Sequence, residues 1–221
     1  MIKKLLLLTL VLSLAFVFTG CNNDDAASDS DAWEIQNDEE LTCGAFAIAY
    51  YLAETGQIEP DQIRKTVDKI YPQIQFDAEG PFEGYSDPEK MCYLLLDNNY
   101  AKKVEFAKFY LNNNFEPNDA EKVLIALQYA TQTNGNFYKS LDNLLGEGEY
   151  FIEIAVSNHD GIVRENLTDN SLHYILTYKK DGEIVSRDSY LGYVVPREQL
   201  SDGTEGNYQF CNGGLLITPN K

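Results

Sequence analysis

Apolar and polar positions along this chain follow two different periods, and the change falls near Gly148. Before it, apolar residues recur at helical spacing. The run Ala45-Phe46-Ala47-Ile48-Ala49-Tyr50-Tyr51-Leu52-Ala53 is apolar almost all round, which predicts a helix buried on every side. Thr42 is its candidate N-cap and Gly56 its candidate stop. Pro60 opens a second helix with Ile63, Val67 and Ile70 on one face. Ser86-Asp87-Pro88-Glu89 is a capping-box pattern ahead of Met91, Tyr93, Leu94 and Leu95. Asn118-Asp119-Ala120-Glu121 repeats that logic ahead of Val123, Leu124, Leu127 and Ala130. Residues 140–145 predict a short helix ended by Gly146.

After Gly148 the period shortens. Residues 150–156, 172–178 and 183–188 are β-rich, and Asp181-Gly182 between the last two is a strong hairpin signal. Residues 190–195 and 214–218 add candidate strands. Helices first and strands later predict an α+β domain of two layers. Its helical N-terminal half, with a central buried helix, packs on a C-terminal antiparallel β-sheet. There is no internal repeat.

The first apolar run, residues 5–18, has a different character. Lys3 and Lys4 precede it, and it is short for a membrane span, so residues 1–20 read as a secretory signal. Thr19-Gly20-Cys21 resembles the lipobox of bacterial lipoproteins. That resemblance implies cleavage before Cys21, lipid on its sulfur, and anchoring to a bacterial membrane at the cell envelope or cell surface. The alternative is an ordinary signal peptide with an incidental cysteine. Residues 22–31 are Asn, Asp, Ala and Ser only, and cannot bury apolar surface. Residues 21–32 are therefore expected to be a lipidated cysteine and a disordered acidic tether. Residues 33–221 remain, about 190 in all, enough for one domain with a sizeable core.

Charge narrows the partners. The chain carries a formal net charge of -18, and loss of Lys3 and Lys4 with the signal takes it to about -20. Nucleic acid and anionic lipid are polyanions and are disfavoured. Cysteine count leaves two alternatives. With Cys21 lipidated, Cys92 can pair with Cys211 and leave Cys43 free, or Cys92 can be a plain buried thiol.

Thr42-Cys43-Gly44 heads the apolar helix. A cysteine there has its sulfur near the positive end of the helix, where the dipole and unpaired N–H groups favour thiolate over thiol. His173 starts the strand at 172–178, and Asp188 ends the next. If Asp181-Gly182 are the loop residues, His173 faces Tyr190 and Ile175 faces Asp188. His173 and Asp188 then share a face as diagonal neighbours. Cys43 is a candidate nucleophile, His173 a candidate base and acid, and Asp188 a candidate orienting group. The Cys43 N–H is a candidate oxyanion donor, with Gln36 as a side-chain donor to the same hole. With only two histidines and no close Cys/His spacing, a zinc site is not expected. His159, in Ser157-Asn158-His159-Asp160-Gly161, reads as a turn residue. No phosphate-cradling glycine motif occurs, and no cofactor is expected.

Gln36, Cys43-Gly44 with its small-residue helix, His173 before a hydrophobic strand, and Asp188 together resemble the papain-like cysteine peptidase clan. The nearest likeness is to peptidases that remove double-glycine leaders from bacteriocins; 140–148, a short helix and glycines before a strand, resembles that branch too. Two departures stand out. Ala45 follows Cys-Gly where the family usually has Pro, and Gln36 lies one residue further from the cysteine than in papain, so Asn37 is an alternative. The resemblance implies a papain-like fold and a surface-anchored cysteine hydrolase, a peptidase acting on a peptide or protein through a thioester. An amidase or acyl transferase of the same clan is a related alternative. A different reading is a non-catalytic lipoprotein that binds peptide or protein, since fifteen tyrosines in an acidic chain suit a recognition surface.

Overall fold

A computed structural model describes residues 32–37, 40–77, 83–109, 136–157 and 171–220. The signal, Cys21 and its tether, the helix expected from Asn118, and His159 lie outside these residues. Among the described residues the architecture is α+β, with four helices and a seven-stranded sheet.

Helix α1 (Cys43–Glu54) is buried along its whole first ten residues, Cys43 to Leu52, as its all-round apolar pattern requires. It stops at Thr55, and Gly56 takes the left-handed conformation, φ 67°, that closes many helices. Thr42 occupies the N-cap position but makes no side-chain cap bond. Helix α2 (Ile63–Ile74) buries Ile63, Val67, Ile70 and Ile74 against it. Helix α3 (Pro88–Asp97) is capped by Asp87, whose carboxylate accepts the Glu89 N–H at 2.8 Å. Ser86, the expected cap, sits one residue too early, because Pro88 takes the first helical position. Ser86 is instead buried and forms an isolated bridge with Gln75.

The strands are β1 (Ala101–Phe109), β2 (Asn136–Tyr138), β3 (Tyr150–Ser157), β4 (Ser171–Lys180), β5 (Glu183–Arg187), β6 (Val194–Pro196) and β7 (Gln209–Pro219). Helix α4 (Leu141–Leu144) lies between β2 and β3. Their order across the sheet is β2-β1-β7-β3-β4-β5-β6. The expected sheet was antiparallel and C-terminal. The observed one also takes β1 from the earlier half, and β1 pairs with β2 in parallel. Lys102, Lys103, Glu105 and Lys108 make β1 read as solvated chain, and its pairing with the distant β7 carries no local signal. β7 is also longer than expected because it runs through Gly213-Gly214. A Cβ at Gly214 would collide with the Ile152 carbonyl of β3, so this glycine permits close strand approach rather than a turn. Residues 190–193 are not strand, because the chain turns after β5.

Helices α1, α2 and α3 cover one face of the sheet, and α4 packs on the other with Ala107, Phe109, Phe151 and Leu216. Leu172, Tyr174, Leu176 and Tyr178 of β4 pack with α1 on the first face. Ala155, Ile175, Val195, Leu200 and Phe210 form a separate cluster of opposite strand parity. A 3-10 turn, Arg197–Leu200, lies over that second face. There Arg197 pairs with fully buried Glu153 at 2.6 and 2.8 Å. No disulfide joins Cys92 to Cys211. Tyr50, Tyr51, Tyr174 and Tyr178 are buried, with hydroxyls bound to Glu34 O, Tyr100 O, Ser86 O and the Glu54 carboxylate.

Candidate active site

The site is built where the β4–β5 hairpin meets the start of α1. Asp181 and Gly182 have φ of 53° and 84°, both left-handed, as a two-residue type I′ turn requires. The ladder then runs from Lys180 opposite Glu183 to Leu176 opposite Arg187. One step further along the same count, Asp188 comes level with Ile175, on the face that also bears His173. The chain turns immediately, and the N–H groups of Leu191 and Gly192 donate to the Asp188 carbonyl at 3.2 and 2.9 Å. This turn holds the Asp188 carboxylate against the imidazole, with His173 Nε2 2.8 Å from Asp188 Oδ1. The same Oδ1 accepts the Tyr190 N–H at 3.0 Å.

Cys43, the first residue of α1, lies beside the imidazole, close enough for its sulfur to act on the charge of the ring. Asp188 occupies Nε2, so Nδ1 is the nitrogen left for the sulfur. The three side chains are almost closed to solvent, with residue exposures of 4% for Cys43, 3% for His173 and 1% for Asp188. Burial alone would push the imidazole down. The charge and hydrogen bond of Asp188, and then those of the Cys43 sulfur, outweigh it and raise His173 to about 10. For Asp188, burial works upward, but the charge and hydrogen bond of His173 and the donors at Tyr190 and Tyr208 hold it below the usual carboxylate range. The pair is therefore an imidazolium and a carboxylate at neutral pH.

Gln36 is buried and tied to the turn that carries Asp188. Its N–H donates to the Ser189 carbonyl at 2.8 Å, and its Oε1 accepts the Ser189 hydroxyl at 2.9 Å. One hydrogen of its amide goes to the Glu40 carbonyl, and the amide carries a second. Asn37 is exposed and bound to the Glu40 carboxylate at 3.1 and 3.3 Å, so the two candidates lie in different settings. Gly44 has a steric reason. A Cβ there would lie 2.5 Å from Ser86 Cβ, so only glycine lets the first turn of α1 seat against Ser86.

The arrangement can move a proton between sulfur and imidazole beside a helix N-terminus, which is the equipment of acyl transfer. A concavity of about 290 Å³ lies elsewhere, between α2 and α3, lined by Gln73, Lys90, Tyr93, Leu94, Asp97 and Asn98. Its lining offers no nucleophile–base pair.

Comparison with protein-family models, with curated proteins and with solved structures returned no match.

Sequence reasoning missed two residues of the site. Tyr190 and Tyr208 both lie nearly parallel to the His173 ring, each 5.0 Å between centroids, at 17° and 15°. The Tyr208 hydroxyl also lies by the Asp188 carboxylate and helps to hold it charged. The count across the hairpin already set Tyr190 opposite His173, and that was the available signal. Tyr208 had none, because it arrives from the segment leading into β7.

Proposed function

We propose that this chain is a papain-like cysteine hydrolase, a peptidase that cleaves a peptide or protein through a thioester. The observation that carries the reading is the hydrogen-bonded pair of Asp188 and His173, with the Cys43 sulfur beside its imidazole at the first residue of a helix. His173 Nδ1 holds the proton that the thiol gives up. Sγ then attacks the carbonyl carbon of the scissile amide. The new oxyanion accepts from the Cys43 N–H, with the second amide hydrogen of Gln36 as partner. His173 returns its proton to the leaving amine, and the C–N bond breaks to leave a thioester. Water, deprotonated by His173, attacks the thioester, releases the acid and restores the thiol. Throughout, Asp188 keeps the imidazole in the tautomer that presents Nδ1 to sulfur. An amidase or acyl transferase shares every step up to the thioester and differs only in the acceptor. Lipid on Cys21 would hold this activity at the surface of a bacterial membrane.

The test is labelling of the purified protein with a neutral chloroacetamide near pH 7, followed by peptide mapping. Modification concentrated at Cys43 over Cys92 and Cys211, lost in His173→Ala, is the expected result. Cys43 inert in a folded protein would sink the hydrolase reading. The near-complete burial of the triad favours a second reading, a peptide-binding lipoprotein on the same fold. That reading expects saturable peptide binding with no labelling and no turnover.

A further inference from the structure

We propose that Tyr208 is a positioning residue of the Cys43–His173–Asp188 site, fixing imidazole and carboxylate together through two contacts of one side chain. Its ring stacks on His173, 5.0 Å between centroids and 15° from parallel. Its hydroxyl lies by the carboxylate of Asp188, placed to donate to it. The rest of Tyr208 is held independently of both partners. Its N–H donates to the Leu200 carbonyl at 2.9 Å, and its ring packs against the cluster of Ala155, Ile175, Val195, Leu200 and Phe210.

Each partner needs holding. Asp188 lies beyond the last residue of β5, on a turn rather than in the ladder. A carboxylate there can rotate away from Nε2 unless a second donor fixes it. Its other donors are His173 itself and the N–H of Tyr190, which belongs to the same turn. Tyr208 is the donor that comes from another part of the chain. The imidazole must present Nδ1 to sulfur and Nε2–H to Asp188 in both halves of the reaction. A ring rotated half a turn presents carbon to the sulfur instead. A flat plate at stacking distance blocks that rotation. Burial and the charge of Asp188 push the Tyr208 phenol up, so it stays protonated and remains a donor. A phenylalanine would supply the plate, and only the hydroxyl supplies the bond.

The kinetic part of this inference rests on the hydrolase reading, and the geometric part does not. The experiment compares the purified protein with its Tyr208→Phe and Tyr208→Leu variants by two readouts. The first is the low-field proton resonance of His173 Nε2–H, and the second is the rate of Cys43 labelling by chloroacetamide. In the unchanged protein the resonance should be sharp. In Tyr208→Phe it should move upfield and exchange faster, and labelling should slow by about 10- to 100-fold, the worth of one hydrogen bond to a charged group. Tyr208→Leu should lose the resonance to exchange. If Tyr208→Leu fails to fold, the near-isosteric Tyr208→Phe decides alone. A resonance unchanged in Tyr208→Phe, with labelling within about twofold, overturns the proposal. If Cys43 is inert in the unchanged protein, the hydrolase reading fails and the resonance still judges Tyr208.

Discussion

At the scale of single residues, the chemistry depends on how His173 is charged. Its ordinary value of 6.5 is raised to about 10, against burial, by Asp188 and by the Cys43 sulfur. Between those two values the folded protein binds more protons than the unfolded chain, so stability falls as pH rises. The contribution is complete below 6.5 and is gone once pH has passed about 10. Thermal melts from pH 7 to pH 10.5 should fall more steeply in the unchanged protein than in His173→Gln, which has no imidazole to titrate. Parallel slopes would show that the pair adds nothing to folding. Cys43, His173 and Asp188 were legible because each sits on an element with a strong local pattern: an all-round apolar helix, a β-rich run, and a hairpin whose Asp181-Gly182 turn sets strand parity. Gln36 was legible by position alone, and its ties to Ser189 were not. Tyr208 was invisible, because a ring that returns to Asp188 from a distant segment leaves no periodicity behind.

At the scale of elements, α1 is clasped at both ends. Its N-terminus carries Cys43, and at its other end Glu54 accepts from Arg187 at 2.9 and 3.2 Å and from the Tyr178 hydroxyl at 2.6 Å. The guanidinium lies over the Trp33 ring at 3.6 Å and donates to the Gly192 carbonyl at 2.7 Å. One buried cation therefore ties the far end of α1 to the turn beyond Asp188. Arg187→Leu strands the Glu54 carboxylate and should cost about 3–5 kcal/mol in urea unfolding. Adding Glu54→Gln to that variant should recover part of the loss, since the uncompensated charge is then gone. A double variant no better than the single would place the cost in the lost Trp33 contact instead. The helices and the hairpin were readable because their signals are local. β1 was not, since its charges suit a solvated segment until β7 lies beside it.

At the scale of the whole molecule, 35 acidic residues against 17 basic ones make the fold repel itself. The buried pairs Asp188–His173, Glu54–Arg187 and Glu153–Arg197 are shielded from salt, whereas surface repulsion is not. Raising ionic strength from about 0.01 M to 0.15 M shortens the screening length from about 30 to 8 Å. The melting temperature should rise by about 2–4 °C, equivalent to about 1 kcal/mol. A fall would mean that salt costs the exposed ion pairs more than it relieves the repulsion. The sheet order adds a consequence in time. β7 sits in the middle of the sheet, between β1 and β3, yet it follows all the other strands in the chain. While the polypeptide is being made, β1 and β3 must wait as open edges until those last residues emerge. The segment that brings Tyr208 to Asp188 arrives with them. A nascent chain can therefore form its helices and its β4–β5 hairpin early. Its sheet closes, and its candidate nucleophile meets an ordered base, only when synthesis of the domain is complete.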